Sequence, residues 1–455
     1  MTEAERLAAF VGRVRYDDLS DGARRQIGIR VLDSLGCAIG ALDAKPLAAL
    51  AAQLDDFGGN PLCTVIGRSA KTAPDRAAFC NGALTRYLDF MDAYLAKGES
   101  CHPSDNLAPV LAAAEYADAD GRQFLTALAV AYQVQARLSD EAPVRDRGFD
   151  HTTQGAFAVG AGVAKALGLD AARTAHAIAL SGTGNVALRA TRTGALSQWK
   201  GLAYANTSFS GTHAAFLAMR GITGPLQVFE GNKGFKESVS GPFVIDWEGE
   251  NLERVERTAV KKYDAEIHAQ SAIEGILDLQ SRHGFDSGQI SAIDVDIFDV
   301  AHKIIGGGEE GDKTRVETKE QADHSLPYML AAALCDGELR PAQYKPERIV
   351  ADDVQALLRR VHIRSDSRLS ARFPAELPCR VAVTLGDGRR YVVEKRDYEG
   401  YHTRPMSWEA VCRKFHRLAA PFLPGDRRNA IAEVVATLAD RKVRDLASLL
   451  GQFSG

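Results

Sequence analysis

The sequence lacks long apolar runs and any surplus of basic residues. A membrane-spanning helix needs about 18 or more consecutive apolar residues, and no stretch of this chain approaches that length. The 55 Lys and Arg are balanced by 59 Asp and Glu, and the net charge of −4 gives no electrostatic reason to expect binding to nucleic acid. The first residues are polar and acidic, without the apolar core of a signal peptide. We therefore expect a cytoplasmic protein that binds neither membranes nor nucleic acid.

Paired cysteines are absent too. The chain has seven cysteines, and none lies in a C-x-x-C pair, which argues against zinc ribbons and thioredoxin-like redox sites. The histidines show no H-E-x-x-H spacing, so no metal site is recognisable. We expect most of the cysteines to be small buried residues. A nucleophilic role for Cys101, beside His102, is the less favoured alternative.

The length and the change of pattern along the chain predict more than one domain. A chain of 455 residues exceeds one ordinary hydrophobic core. Residues 1–269 are rich in Ala, Leu and Gly, and apolar residues recur at steps of three and four, which predicts helices. Small residues at 155–162 would let two helices approach closely. They do not indicate a nucleotide-binding loop, because no strand precedes them.

The pattern changes to mixed strands and helices near residue 285. Apolar and polar residues alternate at 291–300, and residues 379–385 and 390–395 flank the turn signal Gly-Asp-Gly of a hairpin. A helix is predicted at 322–334, and the helical pattern returns after residue 400. The sequence therefore predicts a mainly α fold. A large all-helical domain is built from both chain ends (1–269 and 398–455), and a smaller α+β domain (270–397) is inserted into it.

Residues 81–106 form the most polar stretch of the helical region. Arg86, Asp89 and Asp92 are followed by His102, which Pro103 restricts to extended or turn geometry. An arginine, two carboxylates and an imidazole are the side chains that acid/base chemistry on an anionic substrate requires. The alternative is structural: Ser104 or Asp105 would cap the next helix and His102 would be incidental.

Two further polar clusters interrupt apolar helices. His151 is expected at the N-terminus of a Gly- and Ala-rich helix, where the helix dipole lowers the pKa of an imidazole and favours anions. The alternative there is capping by Asp150 or Thr152. Arg192 and Lys200 belong to a basic cluster that would suit a polycarboxylate or, alternatively, form a solvated face.

Taken together, the polar blocks resemble a known family. They resemble, in the same order, the sequence blocks of the MmgE/PrpD family: LDFMDAYL with HPSDN, FDHTTQGAF, LSQWKGLAYANTSFSGTHAAFLA, YDAEIHAQSAIE and QADHSLPYMLAAAL. That family includes 2-methylcitrate dehydratase, cis-aconitate decarboxylase and iminodisuccinate epimerase. The resemblance implies a helical domain with an α+β lid, an active site between them, a homodimer, and chemistry without a metal or organic cofactor.

The resemblance also implies roles for individual residues. It implies that Asp89, His102 and His151 lie in the catalytic cleft and that Tyr328 approaches from the lid. The histidines are the candidate base and acid, Asp89 would orient a histidine, and Tyr328 would donate a proton or hydrogen bond to the leaving hydroxyl. The candidate substrate-binding residues are Arg86, Ser104, Arg192, Lys200 and Lys262.

The expected activity is removal of water from a 2-methylcitrate-like hydroxy tricarboxylate. Decarboxylation or epimerisation of a related polycarboxylate, and a member without catalysis, are the alternatives. The resemblance favours the dehydratase branch, because decarboxylase-like members carry their lysine where this chain has Ser197 and because Ala93 stands where Thr is frequent. The segment HPSDN also resembles the corresponding segment of the dehydratases.

Overall fold

The computed structural model describes residues 1–194, 196–308 and 311–453. The described chain divides into two compact units. The first consists of the described residues within Met1–Arg192, Gln198–Thr258 and Ser407–Gly455, and the second of those within Thr193–Ser197 and Ala259–Met406. The smaller domain was predicted at residues 270–397.

The first unit begins with a series of α-helices. In chain order they are α1 (Glu3–Arg13), α2 (Asp21–Gly40), α3 (Lys45–Phe57), α4 (Pro74–Tyr87), α5 (Leu107–Tyr116), α6 (Gly121–Glu141), α7 (Thr152–Ala166), α8 (Ala171–Gly184) and α9 (Trp199–Met219). A two-stranded antiparallel hairpin of β1 (Tyr94–Leu95) and β2 (Ser100–Cys101) lies between α4 and α5. This hairpin departs from the predicted all-helical character of the domain.

Helix α7 lies at the centre of the first unit, and small residues let its neighbours approach it. A Cβ atom on Gly162 would lie 2.9 Å from the Cβ of Ala131 in α6, and one on Gly160 would lie 3.1 Å from the Cα of Ile178 in α8. Real Cβ atoms essentially never come as close as 2.9 Å to a neighbour, and a contact of 3.1 Å is tighter than most, so glycine lets these helices pack closely. The predicted close approach at residues 155–162 is confirmed.

The segment between α9 and the next helix departs from the prediction. Residues 220–269 were expected to be largely helical, but the structure has short 3-10 helices there and a π-turn at Lys236–Ser240. Glycine and proline recur through this segment, and both residues disfavour helix interiors. The apolar periodicity that suggested helix reflects buried loop residues such as Phe229 and Trp247.

The second unit combines helices with one mixed sheet. Its elements are α10 (Gln270–His283), β3 (Ile290–Ile297), α11 (Asp299–Ile305), α12 (Lys319–Ala322), α13 (Leu326–Asp336), α14 (Pro346–Ile349), α15 (Asp352–Leu358), β4 (Val361–Ser365), α16 (Ser367–Ser370), β5 (Cys379–Leu385) and β6 (Arg390–Lys395). The strand order is β4-β3-β5-β6, with β3 parallel to β4 and antiparallel to β5. The predicted hairpin of β5 and β6 is confirmed.

Alternation along the strands gives this sheet one buried and one polar face. Ile293, Val295 and Ile297 of β3 are fully buried, while Asp294 and Asp296 carry ion pairs to arginines on the other face. The helix predicted at 322–334 is split in the structure, since Ser325 caps α13 through the backbone N–H of Tyr328.

The chain returns to the first unit with α17 (Trp408–Ala419), α18 (Gly425–Ala436) and α19 (Val443–Leu450). Helix α17 packs on α2, where Nζ of Lys414 lies 2.7 Å from Oδ1 of the buried Asp33. The mainly α character predicted from the sequence is confirmed. Among the described residues, no single helix is both long and apolar enough to cross a membrane, although α2 and α3, bent by 89° to one another, meet the length and composition criteria as a pair.

Candidate active site

The chain makes a strained turn directly after α4. Arg86 lies in the last turn of this helix, and Asp89, three residues later, has a φ of 57°. This left-handed conformation is unfavourable for most residues other than glycine, although Asp tolerates it better than most. Backbone strain of this kind clusters at functional sites. The turn buries the Asp89 carboxylate, with Oδ1 lying 3.8 Å from Nη2 of Arg86.

Asp92 fixes the loop that carries His102. Its carboxylate accepts hydrogen bonds from the Ser104 backbone N–H (3.1 Å) and from the Tyr132 hydroxyl (2.8 Å). Its carbonyl oxygen lies 2.7 Å from Nδ1 of His102. A carbonyl oxygen can only accept, so Nδ1 carries the hydrogen, and in the neutral imidazole Nε2 keeps the lone pair. His102 is therefore held in the tautomer that a general base with an active Nε2 requires.

His151 lies beside a carboxylate at the N-terminus of α7. Its Nδ1 lies 3.2 Å from Oδ1 of Asp150, whose other oxygen accepts from Nε of Arg192 at 2.6 Å. Burial would raise the pKa of Asp150, but Arg192, His151 and the Thr152 backbone N–H outweigh it and hold that pKa well below its usual range. Asp150 is therefore a carboxylate, and its negative charge faces Nδ1 of His151.

Burial is the main influence on His151 itself. It lowers the pKa of the imidazole well below its usual value, and the nearby arginines, Arg192 first, act in the same direction against the attraction of Asp150. His151 is consequently neutral at physiological pH. The carboxylate beside Nδ1 favours the tautomer with the hydrogen on Nδ1, which leaves Nε2 basic.

The two imidazoles are neighbours. The ring centroids of His102 and His151 lie 5.7 Å apart, and His151 stacks on Tyr204 of α9 at 6.2 Å. The hydroxyl of Tyr204 donates to Asn106 or Gln135, which anchors the ring. The structure thus brings together two histidines that are separated by about fifty residues of sequence.

Three buried cations belong to the same network of charges. Nη1 of Arg86 lies 3.6 Å from Oδ2 of Asp105, and Nζ of Lys200 lies 3.6 Å from Oδ2 of Asp89. Arg192 is the third, paired with Asp150. Burying charge costs free energy unless the charge is paired, and these cations are all paired with carboxylates. The alternative that Arg192 and Lys200 form a solvated face is wrong, because Lys200 is buried and the Arg192 side chain is only 10% exposed.

Several polar atoms at this place have no hydrogen-bond partner among the described residues. In native proteins a buried donor or acceptor without a partner is rare and often marks a functional site. The atoms concerned here are Nη1 of Arg86, Oγ of Ser104, both carboxyl oxygens of Asp105, Nε2 of His151 and Nη2 of Arg192. Donors and acceptors concentrated in this way are suited to a polar, anionic ligand.

Two of the predicted site residues belong to the second unit. The hydroxyl of Tyr328 donates to the carbonyl of Gln343, and the side chain is fully buried. Nζ of Lys262 lies 3.0 Å from carboxylate oxygens of both Glu274 and Glu399. Both residues are thus occupied within the second unit, and their expected roles toward a substrate stay predictions.

The capping interpretation of the loop is wrong. Asn106 precedes α5 without a side-chain capping bond, and neither Ser104 nor Asp105 caps that helix. The Cys101 thiol is fully buried, and burial raises its pKa well above the usual value, which disfavours a nucleophilic thiolate.

Asp150 and Asp105 belong to the candidate site, but from the sequence both were interpreted as helix caps. Asp150 does accept from the Thr152 backbone N–H at 3.1 Å, as a cap would, but it also bridges His151 and Arg192. Their position in the sequence could have indicated a site role, because each stands within three residues of a candidate histidine. Asp89 pairs with Arg86 and Lys200, whereas the carboxylate on His151 is that of Asp150.

The chain matches two family models. It matches the MmgE/PrpD N-terminal domain over residues 5–248 and the MmgE/PrpD C-terminal domain over residues 263–440. It is 27% identical to cis-aconitate decarboxylase of Mus musculus over 463 residues, which covers 96% of this chain and 90% of that protein. It is also 30% identical to 2-methylcitrate dehydratase of Cupriavidus necator, with 79% of this chain and 77% of that protein covered. The dehydratase of Escherichia coli K12 is 26% identical, with 82% and 81% covered.

Proposed function

Because the chain belongs to the MmgE/PrpD family, we propose that it is a lyase that removes water from a hydroxy tricarboxylate of the 2-methylcitrate type. The relatives with which it shares 26–30% identity include several 2-methylcitrate dehydratases. Identity at this level supports the reaction class, and the choice of substrate rests on the chemistry of the candidate site.

The observation that carries the proposal is the pair of imidazoles among buried cations. A carbon-bound hydrogen beside a carboxylate is weakly acidic, so its removal needs a positioned base and cations that stabilise the developing negative charge. The neighbouring rings of His102 and His151 supply a basic Nε2 each. Arg86, Arg192 and Lys200 supply the positive charge within the same unit.

The unpartnered donors suit the carboxylates of such a substrate. In this proposal Nη1 of Arg86, Nη2 of Arg192 and Oγ of Ser104, which are buried without hydrogen-bond partners among the described residues, bind substrate oxygens. Arginine is well suited to this task because its fork of N–H groups matches a carboxylate. Lys200 neutralises further negative charge, and Tyr328 and Lys262 remain predicted contributors from the second unit.

Decarboxylation of a related tricarboxylate is the second candidate. It is favoured by the alignment with the mouse cis-aconitate decarboxylase, which covers more of this chain than the alignments with the dehydratases do. Decarboxylation also passes through a carbanion beside a carboxylate, so the same cations would stabilise it. The two reactions differ in their products: one releases water and the other carbon dioxide.

A substrate panel tests the proposal. Purified protein is incubated with 2-methylcitrate, citrate, isocitrate and cis-aconitate. Ultraviolet absorbance reports a conjugated alkene, and a coupled assay reports carbon dioxide. We expect alkene formation from 2-methylcitrate or a close analogue. Carbon dioxide from cis-aconitate without dehydration would support the second candidate instead, and no turnover of any substrate would contradict both.

A homodimer and a cytoplasmic location are part of the same proposal. Both follow from the resemblance and from the composition of the sequence. Sedimentation equilibrium of the purified protein is expected to give twice the chain mass of 49.0 kDa. Fractionation of the native cells is expected to recover the protein with the soluble fraction, and recovery with membranes would contradict the location.

A further inference from the structure

Loss of a hydroxyl group needs a proton, and the resting imidazoles do not provide one from Nε2. Nδ1 of His102 donates to the Asp92 carbonyl, and Nδ1 of His151 faces the Asp150 carboxylate. In the neutral form each ring therefore presents an acceptor at Nε2. Hydroxide is a poor leaving group at neutral pH, so elimination of water requires a general acid. That acid must be sought among the other groups of the candidate site.

Asp105 occupies a suitable position. It lies in the short 3-10 helix Pro103–Asn106, and its backbone N–H donates to the carbonyl of His102 at 3.0 Å. Its side chain is 2% exposed, and neither carboxyl oxygen has a hydrogen-bond partner among the described residues. One oxygen lies 3.6 Å from Nη1 of Arg86, which is itself without a hydrogen-bond partner in the described chain. A buried carboxyl that no protein group satisfies is suited to donate its proton to a ligand.

Titratable and charged groups of several elements lie around Asp105. They are Arg86 of α4, Asp89 and Asp92 of the loop after α4, Arg192 of the 3-10 helix Arg189–Arg192, and Tyr204 of α9. Helices α2, α6 and α7 also pack against its 3-10 helix, and they contribute Arg30, Tyr132 and, at the N-terminus of α7, His151. Burial, reinforced by Asp92 and Asp89 and opposed by Arg86 and Arg192, raises the pKa of the Asp105 carboxyl to about 7. A large fraction of this carboxyl therefore carries a proton at neutral pH, unlike an ordinary aspartate.

We propose that Asp105 is the general acid that protonates the departing hydroxyl group, an assignment that rests on the proposed dehydration. One imidazole Nε2 takes the hydrogen from carbon, and the electron pair of that C–H bond forms the C=C double bond. The C–O bond breaks with its electron pair on oxygen, which takes the proton of Asp105 and leaves as water. The site then holds an imidazolium and an Asp105 carboxylate, and proton transfer between them through solvent restores the starting state.

A leaving-group exchange tests this assignment. The wild type and Asp105→Asn are compared on 2-methylcitrate and on the analogue in which fluorine replaces the hydroxyl group, since fluoride leaves as an anion and needs no proton. Asp105→Asn should slow water elimination by about two orders of magnitude or more, the scale of general-acid contributions. It should slow fluoride elimination by less than about tenfold, because the base and the cations are intact.

The pH profile gives a second readout. In the wild type, kcat for water elimination should fall as the pH rises through about 7, where the Asp105 carboxyl loses its proton. Fluoride elimination should not fall in this range. Asp105→Glu, which keeps an acid, should recover part of the water elimination. Asp43→Asn, at an exposed position of the same unit, is the matched control and should leave both reactions unchanged.

The outcomes separate this assignment from the proposed function. If a folded Asp105→Asn slows both eliminations equally, or slows neither, Asp105 is not the acid although the dehydration stands. If the wild type dehydrates no hydroxy tricarboxylate, both the proposed function and the assignment fail. Circular dichroism and thermal unfolding establish that the variant is folded.

Discussion

Oδ1 of Asp150 lies 3.2 Å from Nδ1 of His151, and the two residues are adjacent in the sequence. The other carboxylate oxygen is bound by Arg192, so the aspartate cannot turn away from the ring without breaking a charged hydrogen bond. This relationship favours the tautomer of His151 with the hydrogen on Nδ1, and Nε2 is one of the buried polar atoms without a hydrogen-bond partner among the described residues. The same arrangement of carboxylate and imidazole orients bases in other enzymes.

Asp150→Asn should therefore lower the rate, and it should also lower stability because it leaves the buried Arg192 without its carboxylate. An amide can donate to Nδ1, which would favour the tautomer with the hydrogen on Nε2. We expect kcat to fall by about one to two orders of magnitude, a part of the usual contribution of a general base. Steady-state kinetics on the best substrate of the panel measures this. Asp146→Asn, at an exposed position nearby, is the control, and an unchanged kcat in Asp150→Asn would refute the orienting role.

Gly155→Ala should disturb the site through Tyr204. A Cβ atom at position 155 would lie 2.5 Å from Cε2 of the Tyr204 ring, which stacks on His151. Relief of this overlap should cost about 1–3 kcal/mol of stability, the usual range for overpacking. Gly201→Ala in α9 is the matched control, because nothing lies within 4 Å of its Cβ. That variant should gain up to about 1 kcal/mol from helix propensity. Urea unfolding curves compare the two, and equal effects would contradict the steric argument.

Glu274 should make the second unit sensitive to acid. Burial would raise its pKa, but Lys395, Arg404 and Lys262 outweigh it and lower the pKa from its usual 4.5 to about 2. A carboxyl with a lowered pKa adds stability that is fully present above the usual value and is lost as the pH falls through the folded value. The contribution should therefore disappear between pH 4.5 and about 2.

Glu274→Gln tests this ion-pair cluster. The variant should lose about 2–3 kcal/mol at neutral pH and show a weaker loss of stability between pH 4.5 and 2 than the wild type. Urea unfolding at a series of pH values provides the measurement. The exposed Glu347→Gln serves as the control. A variant with the same acid sensitivity as the wild type would contradict the role of this carboxylate.

Tyr328→Phe separates a structural from a catalytic hydroxyl. The hydroxyl donates to the carbonyl of Gln343, so its removal leaves a buried acceptor unsatisfied and should cost about 1 kcal/mol. If the hydroxyl also has the catalytic role that the family resemblance implies, kcat should fall as well. A variant that loses stability but keeps the wild-type kcat would show that the hydroxyl has only a structural role.

Local pattern was sufficient for much of the fold. Strands β5 and β6 have the bounds that were predicted for the two segments beside the Gly-Asp-Gly turn, and α17 lies where the helical pattern was predicted to return. Local pattern failed at residues 220–269, where buried apolar residues at helical spacing belong to loops punctuated by glycine. It also missed the β1–β2 hairpin, whose strands are two residues each and are held by tertiary burial.

The candidate site was predictable only in its residue types. The histidines and cations were named from sequence, but the ion pairs Arg192–Asp150 and Arg86–Asp105 join residues that are far apart in the chain. A burial-driven property such as the raised pKa of Asp105 depends on every neighbouring element. No local pattern contains that information, and an aspartate before a helix was more simply interpreted as a cap.

The central claim is that His102 and His151 carry out proton transfer. The most direct test measures the turnover of His102→Gln and His151→Gln on the best substrate of the panel. The same variants are tested for exchange of the substrate C–H hydrogen with deuterated solvent. Each variant should lose about two to four orders of magnitude in kcat, and the variant that lacks the base should also lose the exchange. His213→Gln, at an exposed position of α9, is the control. Folded variants that keep near-full turnover and exchange would contradict the account.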